Sequence, residues 1–162
     1  MILSVDEQRS KIESGDLAPE FELTSVGGEK IRLSSFRGER NVVLVFFPFA
    51  FTGVCEGELC ALRDDLPKFE SARAQVLGVS CDSKFSQSRW SKESAFSFPL
   101  LSDFWPHGEV AKRYGVFNET LGCANRTTFV IDKYGIVVGM ICSDDIGSPR
   151  ERADYEAALA AL

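Results

Sequence analysis

One short stretch of the sequence combines residue types that sulfur chemistry requires. Pro48, Thr52 and Cys55 stand at intervals of four and three residues, and Glu58 follows the cysteine by three. A cysteine reacts as its thiolate, which is stabilised by the unpaired backbone N–H groups and the positive dipole end of a helix N-terminus. Cys55 is therefore a candidate nucleophile if it begins a helix. The alternative is a buried structural cysteine, a common environment for this residue type.

The elements around Cys55 predict such a helix start. Val42–Phe47 is a continuous β-branched and aromatic run, which is typical of a strand buried on both faces. Pro48 contributes no N–H to a sheet and ends the strand. After the loop 49–53, leucines recur at helical spacing: Leu59, Leu62 and Leu66. The pattern places Cys55 in the first turn of a helix that directly follows a central strand.

The rest of the chain alternates predicted strands and helices. Two β-hairpins are expected, joining Glu20–Leu23 to Lys30–Leu33 across Gly27-Gly28, and Thr127–Asp132 to Ile136–Ile141 across Lys133–Gly135. The other expected elements are a helical turn Leu33–Gly38, the Cys55 helix to about Ala72, a strand Gln75–Cys81, a helix from a cap at Ser83 to about Ser94, a strand Pro99–Ser102, a helix Gly108–Tyr114 and a helix Arg150–Leu162. This order predicts an α/β fold with a mixed central sheet flanked by helices and an N-terminal β-hairpin.

Composition limits the class of protein. The chain has 162 residues, 44% of them hydrophobic, which suits one domain over residues 1–162 with a real core. Residues 1–14 form an N-terminal extension whose order the pattern leaves open. A net charge of −6 without a basic stripe argues against nucleic-acid binding, and no apolar run is long enough to span a membrane. Since the N-terminus lacks the apolar centre of a signal peptide, we expect a cytoplasmic protein.

The motif and its surroundings resemble a known family. The spacing P-x-x-x-T-x-x-C resembles the active-site signature of the peroxiredoxins, and the resemblance continues through APEFEL, LSSFRG, FPLLSDFWPHGEVAKRYGVF and NRTTFVIDKYG. LVFFPFAFTGVCEGEL and LLSDFWPHG are similar in particular to the alkyl hydroperoxide reductase E group. The resemblance implies a thioredoxin-like fold and a thiol-dependent peroxidase without a cofactor. Its substrates would be hydrogen peroxide and organic hydroperoxides, reduced through a sulfenic acid at Cys55.

Four residues can assist a thiolate at Cys55. The hydroxyl of Thr52 can lie beside the sulfur or cap the helix, and Pro48 shields the sulfur without adding a donor. Arg126, in ANRTTF, would on its own be interpreted as a surface arginine. By resemblance it stabilises the thiolate and the transition state, for which its planar fork of donors is suited, and Glu58 positions it. The remaining arginines considered are interpreted as solvated: Arg37, Arg40, Arg150 and Arg152.

Aromatic residues stand in the loops near the predicted site. Phe49, Phe51 and Trp105 are either core residues or an apolar collar that binds an organic hydroperoxide or a partner subunit. We expect a homodimer that buries them. His107, the only histidine, follows a proline and precedes a glycine, and is interpreted as a loop residue rather than a catalytic base.

The sulfenic acid requires a second thiol for its reduction. Cys60 is a candidate resolving cysteine. Its position, five residues after Cys55, resembles that of the resolving cysteine in the bacterioferritin comigratory group. Five residues along a helix separate the Cα atoms by roughly 8–9 Å. A disulfide needs less than about 7 Å, so the helix start must unwind first. Because the alkyl hydroperoxide reductase E group is described as one-cysteine, the alternatives are an external low-molecular-weight thiol, a thioredoxin or a mycoredoxin. Cys60 would then be a buried helix residue. Cys123 could be a second resolver, and Cys81 and Cys142 are interpreted as apolar fillers.

Other classes of cysteine protein fit the pattern less well. A thiol–disulfide oxidoreductase would have C-x-x-C at the helix start, where this chain has Glu58. A cysteine hydrolase needs a histidine base oriented by a carboxylate, and none is identified for His107. No two cysteines stand two to four residues apart, which argues against a zinc site, and no metal is expected. A peroxide-sensing switch without turnover stays open, and a turnover measurement distinguishes it from an enzyme.

Overall fold

The computed structural model describes residues 11–162, so the first ten residues of the predicted extension lie outside the described residues. The strands are β1 (Glu22–Ser25), β2 (Lys30–Arg32), β3 (Asn41–Phe46), β4 (Ala74–Ser80), β5 (Leu100–Ser102), β6 (Phe117–Asn118), β7 (Cys123–Ala124), β8 (Thr127–Ile131) and β9 (Val137–Cys142). The helices are α1 (Gly53–Asp64), α2 (Leu66–Ser71), α3 (Lys84–Ser94), α4 (Glu109–Arg113) and α5 (Arg152–Ala160), with a 3₁₀ turn at Leu33–Phe36.

Seven strands form the central sheet, in the order β2-β1-β5-β4-β3-β8-β9. The strands β3, β4 and β5 are parallel, and the remaining neighbours pair antiparallel. The predicted mixed sheet and both predicted hairpins are therefore confirmed. Because β3, β4 and β5 run in the same direction, the loops that follow them lie at the same edge of the sheet.

β3 is buried on both faces, as its sequence predicts. Its residues alternate between two cores: Val43, Val45 and Phe47 face one, and Val42, Leu44 and Phe46 face the other. The first core also contains Leu59, Phe69, Trp90 and Tyr155, which come from α1, α2, α3 and α5. The second contains Phe21 and Tyr114, from the N-terminal part and the end of α4. Helices thus cover the face that carries Cys55.

The predicted long helix after Cys55 is in fact two helices. α1 ends at Asp64 and α2 begins at Leu66, with Pro67 in its first turn. A proline inside a helix removes one hydrogen bond and clashes with the preceding turn, so the helix ends before it. The last helix is also shorter than predicted and begins at Arg152 rather than Arg150.

One further feature differs from the sequence-based expectation. β6 and β7 form a small separate hairpin that no pattern predicted, because two residues are too few to show a period. For the end of the N-terminal extension, whose order the sequence leaves open, the structure shows Ile12 packed against the core, and the N–H of the following Gly15 donates to the Val137 carbonyl. Within residues 11–162, no helix is both long and apolar enough to cross a membrane.

Candidate active site

Cys55 lies in the first turn of α1, at the carboxyl end of β3. Its side chain is fully buried. Thr52 is the N-cap residue, with an extended backbone whose carbonyl accepts the N–H of Glu56 at 2.9 Å. The thiol therefore occupies the helix start that the sequence predicts, close to the unpaired N–H groups and the positive end of the helix dipole.

Arg126 brings a positive charge to this sulfur. Its Nη1 lies 3.0 Å from Sγ of Cys55 and donates to Oε1 of Glu58 at 2.7 Å. Its Nε donates to the Ile146 carbonyl at 2.7 Å, which fixes the plane of the guanidinium. Arg126 precedes β8, the antiparallel neighbour of β3, and this pairing carries it to the start of α1. The interpretation of Arg126 as a surface residue is thereby excluded, because the residue is 5% exposed.

Arg150 is a second buried arginine, and its predicted exposure to solvent is wrong. Its side chain is 0% exposed. Its Nε and its backbone N–H both donate to Oε2 of Glu58 at 2.8 Å, and its Nη1 donates to the carbonyl of Phe46 at 2.6 Å. The residue lies just before α5. These hydrogen bonds place its side chain between β3 and α1. Arg152, by contrast, is exposed as predicted and pairs with Asp65.

Glu58 is the shared partner of both arginines. Burial by itself would raise the pKa of its carboxyl group, but the hydrogen bonds and charge of Arg150, and then the charge of Arg126, hold that pKa below its ordinary value of 4.5. The carboxylate is thus ionised at neutral pH, where it orients both guanidinium groups.

The loop between β3 and α1 has an unusual backbone. Phe51 has a φ of +64°, a conformation that costs a residue other than glycine of order 1–3 kcal/mol unless neighbouring contacts impose it. The hydroxyl of Thr52 donates to the Phe49 carbonyl at 2.8 Å and makes no capping bond to the helix. The alternative of Thr52 as a side-chain cap is therefore wrong, although it occupies the N-cap position. Pro48 is buried at the start of the loop.

The predicted aromatic collar is exposed rather than part of the core. Phe49 is 39% exposed, Phe51 53% and Trp105 84%. The ring of Phe51 packs against the ring of Trp90 on α3, with 6.2 Å between the ring centroids. Trp105 belongs to the loop after β5, which shares its edge of the sheet with the loop after β3.

All five cysteines are free thiols, and the four besides Cys55 occupy different environments. Cys60 is half-buried on α1, five residues after Cys55. Cys81 is buried, and desolvation is the main cause that raises its pKa to about 12. Burial likewise raises the pKa of the Cys123 thiol. Cys142 is exposed, so its interpretation as an apolar filler is wrong.

His107 is an exposed loop residue, in agreement with its interpretation from the sequence. Its Nε2 donates to the Gly122 carbonyl at 2.7 Å. In the part of the chain that the structure describes, no three histidine, cysteine or acidic side chains are grouped as metal ligands.

Comparison with known proteins identifies the family. A model described as the AhpC/TSA family matches residues 14–140. The chain belongs to the AhpC/TSA family. It is similar to alkyl hydroperoxide reductase E of Mycobacterium tuberculosis, with 47% identity over 148 residues that cover 91% of this chain and 96% of that protein. It is also similar to peroxiredoxin Q of Oryza sativa subsp. japonica, with 38% identity over 78% of this chain and 58% of that protein.

Solved structures of this family have the same fold. The crystal structure of peroxidoxin BcpB from Mycobacterium tuberculosis aligns with a TM-score of 0.81 and 36% identity, over 93% of this chain and 96% of that chain. The structure of AhpC from the same organism aligns with a TM-score of 0.83 and 28% identity, over 94% of each. The predicted thioredoxin-like fold is confirmed. The protein is a peroxiredoxin, an oxidoreductase that reduces peroxide with electrons from a thiol.

The structure brings together most of the residues that the sequence singles out. Cys55, Arg126 and Glu58 are in direct contact, and Thr52 and Pro48 border them on the preceding loop. Arg150 was missed, since nothing in the local pattern of its acidic and basic neighbours distinguishes it from a solvated arginine. Asp82, which accepts a hydrogen bond from the loop backbone, was also missed, since that contact joins residues 32 positions apart and leaves no local pattern.

Proposed function

We propose that Cys55 is the nucleophile that attacks peroxide, with Thr52, Pro48 and Arg126 forming the catalytic site around it. Glu58 is a supporting residue that orients Arg126. The observation that supports this assignment is the 3.0 Å contact between Arg126 Nη1 and Cys55 Sγ at a helix start. Arginine at this distance favours the thiolate, and its remaining donors are suited to the two adjacent oxygens of a peroxide.

The proposed reaction transfers one peroxide oxygen to the sulfur of Cys55. The thiolate attacks one peroxide oxygen, an S–O bond forms and the O–O bond breaks. The departing oxygen takes up a proton and leaves as water or an alcohol. Cys55 is oxidised to a sulfenic acid, and the peroxide is reduced. Arg126 stabilises the negative charge that develops on the departing oxygen, a role for which a fixed, buried donor is effective.

The substrates in this proposal are hydrogen peroxide and organic hydroperoxides. The name of the similar alkyl hydroperoxide reductase E supports the organic class. Phe49 and Phe51, on the loop before Cys55, also support it, because the apolar surface that they share with a partner subunit can border the organic part of such a substrate.

A thiol then attacks the sulfenic sulfur, forming a disulfide and releasing water. Two sources of this thiol remain: Cys60, or an external donor such as a low-molecular-weight thiol, thioredoxin or mycoredoxin. Cys60 is supported by its partial exposure on the same helix, and the external route by the similarity to alkyl hydroperoxide reductase E. Cys123 is the weaker candidate, because it is buried and burial raises the pKa of its thiol.

Three broader features complete the proposal. The chain is a single peroxiredoxin domain over residues 1–162. It acts in the cytoplasm, where disulfides between its five cysteines do not form as a structural framework. It assembles as a homodimer that covers Phe49, Phe51 and Trp105.

Peroxide consumption with a thiol reductant tests the assignment of Cys55. Cys55→Ser should abolish turnover, because a hydroxyl stays protonated and is a far weaker nucleophile. Cys142→Ser is the control: it makes the same replacement at an exposed cysteine of β9, opposite Thr127, and should retain most activity. Turnover by Cys55→Ser at the normal rate would refute the assignment. A single oxidation of Cys55 without turnover by the unmodified protein would instead favour a peroxide sensor.

A further inference from the structure

A carboxylate ties the loop 49–52 to the end of β4. The backbone N–H of Ala50 donates to Oδ2 of Asp82 at 2.8 Å. Asp82 stands two residues after β4, at the edge of the sheet that also carries Cys55. Asp82 is separate from Arg126 and Glu58, the charged residues at the sulfur.

Buried neighbours hold the carboxylate in place. The hydroxyl of Ser80 donates to the same Oδ2 at 2.6 Å. Nε2 of Gln87 donates to that hydroxyl at 2.9 Å and to the Leu101 carbonyl at 2.8 Å. Ser80 and Gln87 are both 0% exposed. The hydrogen bond to Ala50 is therefore anchored in the rigid contact of α3 with β4 and β5.

The loop needs such an anchor. Phe51, the next residue after Ala50, has the left-handed φ of +64°, which persists only where surrounding contacts impose it. The ring of Phe51 is half-exposed, and the bond from Thr52 Oγ1 to the Phe49 carbonyl stays within the loop. Besides the contact of the Phe51 ring with Trp90, the bond to Asp82 joins the backbone of this loop to the sheet.

The position of the loop sets the position of the sulfur. Thr52 ends the loop and is also the N-cap of α1, where its carbonyl accepts the N–H of Glu56. Cys55 lies within that same first turn, and its contact with Arg126 depends on how the turn enters the helix. A shift of the loop therefore moves Sγ relative to the guanidinium.

We propose that Asp82 is a positioning residue for the peroxide step, holding the strained loop 49–52 so that Cys55 is aligned with Arg126. The inference rests on the proposed role of Cys55 as the nucleophile. The proposal predicts that the rate with peroxide depends on the alignment of Cys55 with Arg126, and that the rate of alkylation does not. Attack on peroxide requires the sulfur to be in line with the O–O bond and the guanidinium to lie beside the two oxygens, whereas attack on a small alkylating agent does not need the guanidinium.

The test compares two rate constants for Cys55 at one pH, with hydrogen peroxide and with iodoacetamide. In Asp82→Ala the peroxide reaction should slow about tenfold or more, while alkylation should not slow. Asp82→Asn should recover most of the peroxide rate, because its amide oxygen still accepts the Ala50 N–H. Ser102→Ala is the matched control: its hydroxyl donates to the Asp82 carbonyl, so it removes a neighbouring bond but not the carboxylate. It should react normally with both reagents.

Several results would overturn the inference. These are a normal peroxide rate in Asp82→Ala, an equal loss with both reagents, an equal loss in Ser102→Ala, or no recovery in Asp82→Asn. If Asp82→Ala does not fold, Ser80→Ala tests the same point by loosening the carboxylate, and a normal peroxide rate there counts against it. Failure of the proposed function is distinguishable, since the unmodified protein would then not be oxidised at Cys55 at all.

Discussion

At the scale of single residues, one nitrogen atom joins the reactive sulfur to a buried carboxylate. Nη1 of Arg126 contacts both Sγ of Cys55 and Oε1 of Glu58. Glu58 alone would neutralise Arg126, but Arg150 adds a second positive charge to the same carboxylate. Two buried arginines and one carboxylate leave one net positive charge beside the sulfur. This charge faces the position where the departing peroxide oxygen becomes negative, and it stabilises that oxygen in the transition state.

Removing the guanidinium of Arg126 should therefore impair the peroxide step. We expect Arg126→Ala to slow the reaction with hydrogen peroxide by about 10²-fold or more, the size of losing one transition-state donor. Arg126→Lys should restore only part of the rate, because the planar fork of donors is lost. Arg152→Ala removes an exposed arginine of the same charge and serves as the control. Stopped-flow measurement of the second-order rate constant checks this, and a normal rate in Arg126→Ala would contradict it.

The lowered pKa of Glu58 makes stability depend on pH. Its folded-state pKa lies below the unfolded value near 4.5, so the ionised carboxylate stabilises the fold above that pH. This contribution is lost as the pH falls from about 4.5 through the lower folded-state pKa. Glu58→Gln should be less stable at neutral pH, and its free energy of unfolding should fall less steeply over the acid range.

Urea unfolding at a series of pH values measures this dependence. Glu22→Gln is the control, because Glu22 also has a lowered pKa, caused mainly by its hydrogen bond to Arg32, but lies at the surface. Exposed ion pairs contribute little in water, so this variant should keep most of the acid dependence of the unmodified protein. An unchanged slope in Glu58→Gln would show that the buried carboxylate is not linked to folding.

At the scale of elements, the site combines local signals with long-range contacts. Residue patterns predicted only the local signals, and the contacts of Arg126 with Cys55 and Glu58 were expected from the family resemblance alone. Cys55 at a helix start follows from the strand, the proline and the leucine spacing, all within one stretch. The burial of Arg150 depends on a contact with Glu58 across 92 residues of sequence, and the charged Glu151 and Arg152 that follow it are typical of a solvated segment. Pro67 offered a signal for the break between α1 and α2 that the leucine period outweighed. The bond of Thr52 to the Phe49 carbonyl depends on the loop backbone, which residue types alone do not determine.

The helix α1 also limits how the sulfenic acid can be resolved. Cys55 and Cys60 lie in one continuous helix, where five residues separate Cα atoms by roughly 8–9 Å. A disulfide requires less than about 7 Å, so the turn around Glu56–Leu59 must unwind. If Cys60 resolves, Cys60→Ser should keep the first peroxide step and then accumulate sulfinic acid at Cys55.

Peptide mapping of the protein after one equivalent of peroxide checks this route. A peptide linking Cys55 to Cys60 by a disulfide is the expected product. Cys142→Ser, which replaces the exposed cysteine of β9, should give the same product and serves as the control. A free Cys60 thiol beside oxidised Cys55, with normal turnover of Cys60→Ser by an added thiol, would assign resolution to the external donor.

At the scale of the whole molecule, the residues proposed to act in catalysis and assembly lie at one edge of the sheet. Cys55, Asp82 and Trp105 lie in the segments that follow β3, β4 and β5 respectively, with Cys55 in the first turn of α1. Parallel pairing brings the three strand ends to that edge. The same edge exposes large aromatic side chains: Phe49, Phe51, Phe85, Phe104 and Trp105. Exposed aromatic groups of this size are typical of interaction surfaces rather than of a solvated monomer surface.

We therefore expect this edge to form the interface of a homodimer. Trp105 is 84% exposed and should act as an anchor, since tryptophan residues dominate the binding energy of many interfaces. Trp105→Ala should weaken the dimer and, because Phe51 and the Cys55 loop share that edge, should also slow the peroxide reaction. Tyr134→Ala is the control: Tyr134 is 65% exposed but lies in the turn between β8 and β9. Light scattering at micromolar concentration measures assembly, and a monomeric unmodified protein, or equal weakening by both variants, would exclude this interface.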